Sequence, residues 1–461
     1  MMSYDDVARA DRNYEFFFGD LWKLMQNAGY RVAEFISRSY GSGRRILVVA
    51  GSGNNGGDGI VAGTYLLQGN DVVLYAVPGV QGMKTREARQ AIRQFRGRFC
   101  DSAGFQDEAH SADIIIDAIF GSGFSGDPRP PYDFVISEIN GSGRHVVSVD
   151  VPSALGSRLA VHPEATVTFT DVKEGMTEDN SGQIVVADIG IPEKVFTHNG
   201  PGEFVYYRRA RAGSHKGMNG RVAVVGGWTF HGSAVIAARG AMAVGTDLVK
   251  VYATSRNYSL IGSFDPGIIV RNVDEGLDEG ELASNDSILI GSGLGKGQDL
   301  GNILSELAGF KGIIVLDAEG LDLLNDVKAA VPRAQLILTP HSREFTRIAG
   351  KEASEANARE FAERTGTCVI LKGQVDVVCA PGMTRYTEGG NPRMTMGGTG
   401  DLLAGLAAGM AARSGNAFRA ACIASFLNKS AGDFCMHQKS YWYTVSDMIS
   451  AVPEIMRTYI G

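Results

Sequence analysis

Polar side chains follow several apolar runs in the first half of the chain. The run RRILVVA leads into the loop GSGNNGGDG at residues 51–59, which carries two asparagines and an aspartate, and later apolar runs end in Asp117 and Asp150. Because parallel sheets bind ligands at the carboxyl ends of their strands, these amide and carboxylate oxygens should meet in one crevice. Such oxygens bind hard cations and transfer protons, so the pattern indicates an ionic or acid–base site.

Two simpler interpretations of the same residues stay open at this point. The loop formally contains GxGxxG, which is typical of dinucleotide binding, with Asp71 as the ribose acid. Alternatively, Asn and Asp only tolerate the turn and cap the following helix, and Asp150 only caps the turn before Pro152.

A different constellation lies near the end of the chain, where GGTGD at residues 397–401 precedes the apolar helical start LLAGL. Small residues at a helix N-terminus expose backbone N–H groups, which form an anion hole for a transferring phosphoryl group. Asp401, directly behind them, is placed to accept a hydroxyl proton. The simpler interpretation is a glycine-rich helix cap followed by an ordinary first-turn aspartate.

Two series of alternating strands and helices position these clusters. A helix is predicted over 21–35, ending near Gly41. The first series has predicted strands at 46–50, 72–77, 114–116 and 146–149 and a helix at 85–95. The second has predicted strands at 222–225, 248–252, 287–290, 313–316, 336–338 and 367–371, then three helices from about residue 398. We therefore predict an α/β protein with two tandem three-layer domains, over 1–208 and 209–461.

Composition and charge exclude several classes of protein. The net charge of −7 offers no basic surface for nucleic acid or an anionic membrane. Five cysteines without a CxxC pair indicate neither a zinc site nor a disulfide framework. No stretch of 18 apolar residues and no secretory signal is visible, so we expect a cytoplasmic protein with no membrane partner. We also expect a homo-oligomer.

The motifs GSGNNGGDG, DAIFGSG and SVDVPSAL, in this order, resemble the NAD(P)H-hydrate epimerase family over about residues 14–208. The resemblance implies a Rossmann-like domain with Asn55, Asp117 and Ser153 as K⁺ ligands. It implies substrate contacts from Asn54, Asn55, Gly56, Gly57, Asp58, Gly121, Ser122, Gly123, Phe124, Ser125, Gly126, Asp127 and Asp150. Ala154 departs from the family's usual glycine.

The chemistry that this family performs interconverts the C6 epimers of a hydrated dihydronicotinamide. The interconversion proceeds by ring opening or by reversible loss of hydroxide, and both routes need proton transfer at a positioned carboxylate. We predict Asp150 as the catalytic residue of this domain.

The motifs SHKGMNGRVAVVGG, GSGLG, LDAEGL, LTPHSREF, LKG and GNPRMTMGGTGD resemble the ribokinase-like ADP/ATP-dependent NAD(P)H-hydrate dehydratases over about residues 209–461. The resemblance implies Asp401 as the catalytic base and Ser233, Gly295, His341 and Asp401 as substrate contacts. It implies nucleotide contacts from Lys372, Gly373, Gln374, Val375, Asp376, Gly397, Gly398, Thr399 and Gly400. The departures from the family pattern are Ser292, Glu319, Ser342-Arg343 and Thr395-Met396. His341 taken alone is more often a buried structural histidine.

A nucleotide improves the leaving group of the dehydration. Hydroxide leaves poorly, whereas phosphate leaves easily once the C6 hydroxyl is phosphorylated. The resemblance implies ADP as cosubstrate, with ATP as an alternative, and NADHX and NADPHX as substrates. We expect Mg²⁺ at the nucleotide phosphates.

The two resemblances together predict a bifunctional nicotinamide nucleotide repair enzyme, in which the epimerase supplies the S epimer that the dehydratase accepts. One alternative makes the second domain a small-molecule kinase for a vitamin precursor. Another makes the first domain a non-catalytic binding module.

Overall fold

The computed structural model describes residues 1–278 and 280–460. The chain forms two compact units, Met1–Val195 and Phe196–Gly461. This division precedes the boundary predicted at residue 208, because Phe204 is buried in the core of the second unit and contacts the rings of Phe426 and Tyr459. The segment 196–208 therefore packs with the second unit.

The first unit is built on a parallel sheet. Its strands are β1 (Arg45–Ala50), β2 (Asp71–Ala76), β3 (Arg98–Phe99), β4 (Ile114–Ala118), β5 (His145–Val149), β6 (Ala165–Phe169) and β7 (Gln183–Ala187). They lie in the order β3-β2-β1-β4-β5-β6-β7, with every neighbouring pair parallel. The Rossmann-like order 3-2-1-4-5-6 is contained in it, which confirms the predicted fold.

Two helices of this unit precede the first strand in the sequence, and the others lie between or after the strands. They are α1 (Tyr4–Phe18), α2 (Leu21–Tyr40), α3 (Asn54–Leu66), α4 (Arg86–Gln94), α5 (Phe105–Ser111), α6 (Tyr132–Gly141), α7 (Glu178–Ser181) and α8 (Lys194–Thr197), which crosses into the second unit. The predicted helix corresponds to α2. The sequence pattern missed α1, which begins where Ser3 Oγ accepts a hydrogen bond from Asp6 N.

The second unit is built on a larger, mainly parallel sheet. Its strands are β8 (Arg221–Val225), β9 (Leu248–Ala253), β10 (Ile268–Asn272), β11 (Ser287–Ile290), β12 (Ile313–Leu316), β13 (Gln335–Leu338), β14 (Cys368–Leu371), β15 (Asp376–Ala380) and β16 (Met383–Thr387). The order is β10-β9-β8-β11-β12-β13-β14-β15-β16, and only β14–β15 and β15–β16 pair antiparallel among these neighbours.

Helices pack on both faces of this second sheet. They are α9 (His231–Ala243), α10 (Ser255–Phe264), α11 (Gly301–Glu306), α12 (Leu324–Ala330), α13 (Ser342–Ala349), α14 (Glu355–Thr365), α15 (Thr399–Ser414), α16 (Ala417–Lys439) and α17 (Val445–Ile460). Successive residues of β8 alternate between two separate buried clusters, Val224 in one and Ala223 in the other. The domain is thus three-layered, as predicted, and the three predicted C-terminal helices are confirmed.

Short 3₁₀ turns complete the chain at Val80–Gly82, Pro201–Tyr206, Val273–Glu275, Ala318–Leu323, Pro392–Thr395 and Ser440–Trp442. Among the helices of the described ranges, none has the length and apolar character that crossing a bilayer requires.

Candidate active sites

The first site lies where β1, β4 and β5 end side by side in the first sheet. The glycine loop after β1 packs backbone against backbone, because a Cβ built on Gly51 would lie 1.8 Å from the carbonyl oxygen of Ile119. A Cβ on Gly56 would lie 2.1 Å from the carbonyl oxygen of Gly51. Only glycine fits at these two positions, and the close packing brings the start of α3 against the end of β4.

Asp117 is a fully buried carboxylate at the end of β4. Its oxygens accept hydrogen bonds from Ser148 Oγ at 2.7 Å, Ser153 N at 2.9 Å and Ser153 Oγ at 2.5 Å. Burial raises the pKa of Asp117, although these hydrogen bonds act to lower it. The structure therefore brings two of the three predicted K⁺ ligands, Asp117 and Ser153, into direct contact.

Asn55 lies in the glycine loop after β1, in the first turn of α3. Its Oδ1 and Nδ2 atoms are both buried without a hydrogen-bond partner. A Cβ built on Gly121 would lie 3.4 Å from Asn55 Oδ1, and the adjacent Phe120 N donates to Ser153 Oγ at 2.9 Å. The segment 120–121 thus links Asn55 to the Asp117–Ser153 pair, and the unpartnered amide oxygen is a group that a cation would satisfy.

Asp150 carries an ion pair that the sequence did not reveal. Its Oδ1 lies 2.6 Å from the Nζ of Lys173, a lysine whose side chain is 2% exposed. Lys173 also donates to Thr168 Oγ1 at 3.0 Å and to Phe169 O at 2.6 Å. Asp150 itself has a φ of 65°, in the left-handed region that non-glycine residues rarely adopt outside constrained sites.

The charge of Asp150 raises the pKa values of two more carboxyl groups. Burial and the charges of Asp150 and Asp11 raise the pKa of Asp58 well above its usual range. Burial, together with the charge of Asp150, raises the pKa of Asp11 to about 6, while Lys173 opposes the shift. Asp11 comes from α1, a helix that the sequence analysis missed. The structure therefore adds Asp11 and Lys173 to the predicted set.

A cleft of about 630 Å³ adjoins this region. Its lining contains residues from three segments, Tyr4–Asp11 on α1, the predicted substrate loop Ser122–Asp127, and Leu155–Ser157. Asn54–Asp58, Gly121 and Asp150 lie outside that lining.

The second site is built on the N-terminus of α15. Gly398 is its N-cap, with a φ of 96° that favours glycine, and Asp401 lies in the first turn. The first N–H groups of a helix have no intrahelical partner and carry the positive end of its dipole. The glycine-capped helix N-terminus that the sequence predicted is therefore present, with Asp401 in its first turn.

Lys372 adds a cation at this point. A Cβ built on Gly400 would lie 3.5 Å from Lys372 Nζ, which places the ammonium beside the glycine turn. The Nζ lies 3.2 Å from Asp317 Oδ1 and 3.7 Å from Glu344 Oε2. Burial acts to lower the pKa of Lys372, but the three carboxylates Asp317, Glu344 and Asp401 raise it, so the lysine stays charged.

Asp401 has a pKa raised to about 6. Burial is the largest cause and the charge of Asp317 the next, while Ser233, Lys372 and Ser292 lower it. A carboxyl group with this pKa is a better proton acceptor than an ordinary aspartate and is still ionised at neutral pH. This is the behaviour that a general base requires.

Asp317 follows β12 and was not among the predicted site residues, although its motif LDAEGL was noted. It accepts from Thr339 Oγ1 at 2.7 Å and is buried. Its carbonyl oxygen packs on Gly291, where a Cβ would lie 1.8 Å away. Gly295 is packed against a side chain in the same way, because a Cβ built on it would lie 2.0 Å from Thr229 Oγ1. The GSGLG loop therefore fits tightly beside the site.

His341 is not the buried structural histidine that its residue type suggests, because its side chain is 52% exposed. It is the N-cap of α13. Its Nδ1 accepts from Arg343 N at 3.1 Å and Glu344 N at 3.3 Å, and its backbone pairs with Lys372 in an isolated bridge. Its Nε2 lies 3.6 Å from Glu344 Oε1.

A cavity of about 580 Å³ opens beside Lys372 and Gly400. Predicted nucleotide contacts in its lining are Lys372, Gly373, Gln374, Asp376, Thr399 and Gly400, whereas Val375, Gly397 and Gly398 lie outside it. Asp376 is engaged with the protein, since it accepts from Gly373 N at 3.0 Å and Ser425 Oγ at 2.9 Å. It therefore shapes the loop after β14.

These features define an enzyme with a Rossmann-like domain followed by a ribokinase-like domain. A family model described as NAD(P)H-hydrate dehydratase matches residues 222–454, and one described as YjeF-related protein N-terminus matches residues 22–175. The chain belongs to the family of bifunctional NAD(P)H-hydrate repair enzymes.

Full-length relatives carry that family name. The Archaeoglobus fulgidus enzyme Nnr is 35% identical over 473 residues, which cover 98% of each chain. The Methanothermobacter thermautotrophicus enzyme of the same name is 35% identical, covering 98% of this chain and 94% of its own. Among solved structures, the ADP/ATP-dependent NAD(P)H-hydrate dehydratase of Bacillus subtilis is 23% identical with a TM-score of 0.48, over 56% of this chain and 97% of that one.

Proposed function

We propose that this chain repairs hydrated nicotinamide cofactors in two steps. The first domain interconverts the R and S epimers of NADHX and NADPHX, and the second dehydrates the S epimer while ADP is converted to AMP and phosphate. The observation that supports this most is Asp401, a carboxyl group with a pKa of about 6 in the first turn of α15 and beside Lys372.

The proposed dehydration begins with phosphoryl transfer. Asp401 takes the proton of the C6 hydroxyl, whose oxygen attacks the β-phosphorus of ADP, and the bond from that phosphorus to the bridging oxygen breaks to release AMP. The N–H groups at the start of α15 and the Lys372 ammonium stabilise the charge on the transferring group. Both donors are fixed before the reaction, because Gly398 caps the helix and Asp317 holds the lysine.

The phosphorylated intermediate then eliminates phosphate. The C6–oxygen bond breaks with its electron pair on phosphate, the ring nitrogen lone pair forms the C6=N bond, and loss of a C5 proton restores the dihydronicotinamide. When bound with the nucleotide, Mg²⁺ would supply positive charge at its phosphates. In the described part of the chain, no group of three or more His, Cys, Asp or Glu side chains is arranged to hold a metal ion.

The proposed epimerisation uses Asp150 at the strand ends of the first domain. Asp150 moves a proton during ring opening or during reversible loss of hydroxide, and Lys173 holds its carboxylate in place. Asn54–Asp58 and the loop Gly121–Asp127 bind the substrate. We also propose a homo-oligomer in the cytoplasm, with ADP as the preferred nucleotide and ATP as the alternative.

A K⁺ ion fits beside Asn55, Asp117 and Ser153 because the Asn55 amide oxygen is buried without a partner. Bound there, the ion would supply positive charge and hold the glycine loop against the strand ends. Replacing K⁺ by a bulky organic cation should lower the thermal stability of the first domain and slow epimerisation. Asn55→Leu should remove the K⁺ dependence of both measurements, and a variant that keeps it would refute this ligand set.

The decisive experiment incubates the protein with both NADHX epimers, ADP and Mg²⁺, and follows the dihydronicotinamide absorbance. We expect complete recovery, with stoichiometric AMP and phosphate. Without ADP no recovery should occur. Accumulation of a stable phosphorylated product would instead favour the small-molecule kinase, and recovery that stops when the S epimer is consumed would make the first domain a non-catalytic module.

A further inference from the structure

One buried amide oxygen in the second domain has no hydrogen-bond partner among the residues that the structure describes. Asn428 on α16 is 6% exposed, and its Oδ1 makes no hydrogen bond. The residue lines the 580 Å³ cavity that also contains Lys372 and Gly400. Leaving a buried acceptor unsatisfied is energetically unfavourable, so such a group indicates a ligand that completes it.

The polar neighbours of Asn428 are already engaged, unlike Asn428 itself. Lys429 Nζ donates to Gly373 O at 2.7 Å and Gln374 O at 2.8 Å. Asn391, which lines the same cavity, accepts from Tyr443 Oη at 2.8 Å and donates to Asp433. These contacts fix the walls of the cavity around the amide.

The remaining wall of the cavity suits a flat aromatic group. Pro392, Met394 and Leu403 line it together with the glycines Gly389 and Gly390. Apolar side chains of this kind pack against the faces of a base, while a few placed polar groups select its edge. Phosphates have their own partners in Lys372 and the N-terminus of α15.

We propose that Asn428 recognises the adenine base of the nucleotide and so sets base specificity. The proposal rests on the nucleotide-dependent function above and names the residue that selects the nucleotide. A neutral amide accepts from the exocyclic amine of adenine and donates to the ring nitrogen N7 on the same edge. Hypoxanthine presents an acceptor in place of the amine, so the same amide satisfies only one of the two contacts.

The test measures binding of ADP and of IDP to the full chain by calorimetry, with Mg²⁺ and without the hydrated cofactor. The wild type should bind ADP about tenfold or more tightly than IDP, since a bidentate pair of this type discriminates by about that factor or more. Asn428→Ala and Asn428→Leu should bring the two affinities within about twofold of each other. The leucine variant replaces the amide by an apolar group of similar size, which removes the unsatisfied acceptor and protects the fold.

Asn391→Ala is the matched control, because it removes an amide from the same cavity that already has protein partners. It should change the affinities for ADP and IDP by the same factor. Equal affinities in the wild type, or an unchanged preference in both folded Asn428 variants, would overturn the base assignment and leave the repair activity intact. Failure of the wild type to bind either nucleotide would overturn the proposed dehydratase function as well.

Discussion

The two sites use a carboxylate and a lysine in different ways. In the first domain Lys173 is paired directly with Asp150 and is buried. In the second, Lys372 is paired with Asp317 and Glu344, and the carboxyl group of Asp401 keeps a pKa of about 6. The difference matches the chemistry that we propose. In that scheme, proton transfer on an uncharged ring uses a held carboxylate, whereas phosphoryl transfer uses a cation for phosphate and a separate base.

Backbone strain distinguishes the sites as well. Asp150 and Ala154 both have positive φ in the first, at 65° and 61°. In the second, Ala318 beside Asp317 has a φ of 50°, while the helix cap itself is a glycine. Positive φ at non-glycine residues costs about 1–2 kcal/mol each, which the surrounding packing must offset. The turn 150–154 of the first site therefore contains more backbone strain than the segment after β12 in the second site.

The largest expected effect comes from Asp401→Asn, which keeps the side-chain shape but removes the base. Dehydration of pure S epimer should fall by about two orders of magnitude or more, the usual contribution of a general base. ADP binding measured by calorimetry should change little, since Lys372 and the helix N-terminus remain. Near wild-type dehydration by this variant would refute the assigned role of Asp401.

The second prediction tests whether the sites act independently. In Asp150→Asn, repair of pure S epimer should be unaffected, while the R epimer is repaired only as fast as it epimerises spontaneously. A mixture should then give a biphasic absorbance trace. Lys173 keeps its bonds to Thr168 and to the Phe169 carbonyl, so the variant should fold. If repair of pure S epimer slows as much as repair of R, the two-site scheme has to be abandoned.

The third prediction concerns pH. Asp401 acts as a base only when ionised, so dehydration should fall as pH decreases through about 6, where its carboxyl group protonates. Ser233 lowers the pKa of Asp401, so Ser233→Ala should move the acidic limb of the kcat profile to higher pH. Ser305→Ala, on α11, is a control that should leave the limb in place. An unshifted limb in Ser233→Ala would show that the hydroxyl does not act on Asp401.

The sequence was sufficient to predict both folds and the residues carried by local motifs. Strand and helix periodicity identified the tandem α/β order, and the motif GGTGD with its helix predicted Asp401 in the first turn. Other residues could not be predicted locally. Asp11 lies on α1, far along the chain from Asp150, and Lys173 meets Asp150 only because β6 folds beside β5.

Asn428 illustrates the same limit. It lies in the apolar sequence of α16, where an isolated asparagine gives no signal, and only its buried and unpartnered oxygen singles it out. Asp317 did carry a signal, since it directly follows an apolar strand as Asp117 and Asp150 do. Applying the strand-end rule to both halves of the chain would have found it.

The smallest expected effect concerns Ala154, which follows the proposed K⁺ ligand Ser153 and has a φ of 61° while buried at 3% exposure. Ala154→Gly relieves a left-handed alanine, worth about 1–2 kcal/mol, but increases the entropy of the unfolded chain by about 0.4–1 kcal/mol. The free energy of unfolding should therefore rise by about 0.5 kcal/mol, measured by denaturant titration of the first domain's transition. Ala109→Gly, in the ordinary helical backbone of α5, should instead destabilise by about 1 kcal/mol. Equal destabilisation by both substitutions would show that the turn after Ser153 is unstrained, and the contrast in stored strain between the two sites would then rest on Asp150 and Ala318 alone.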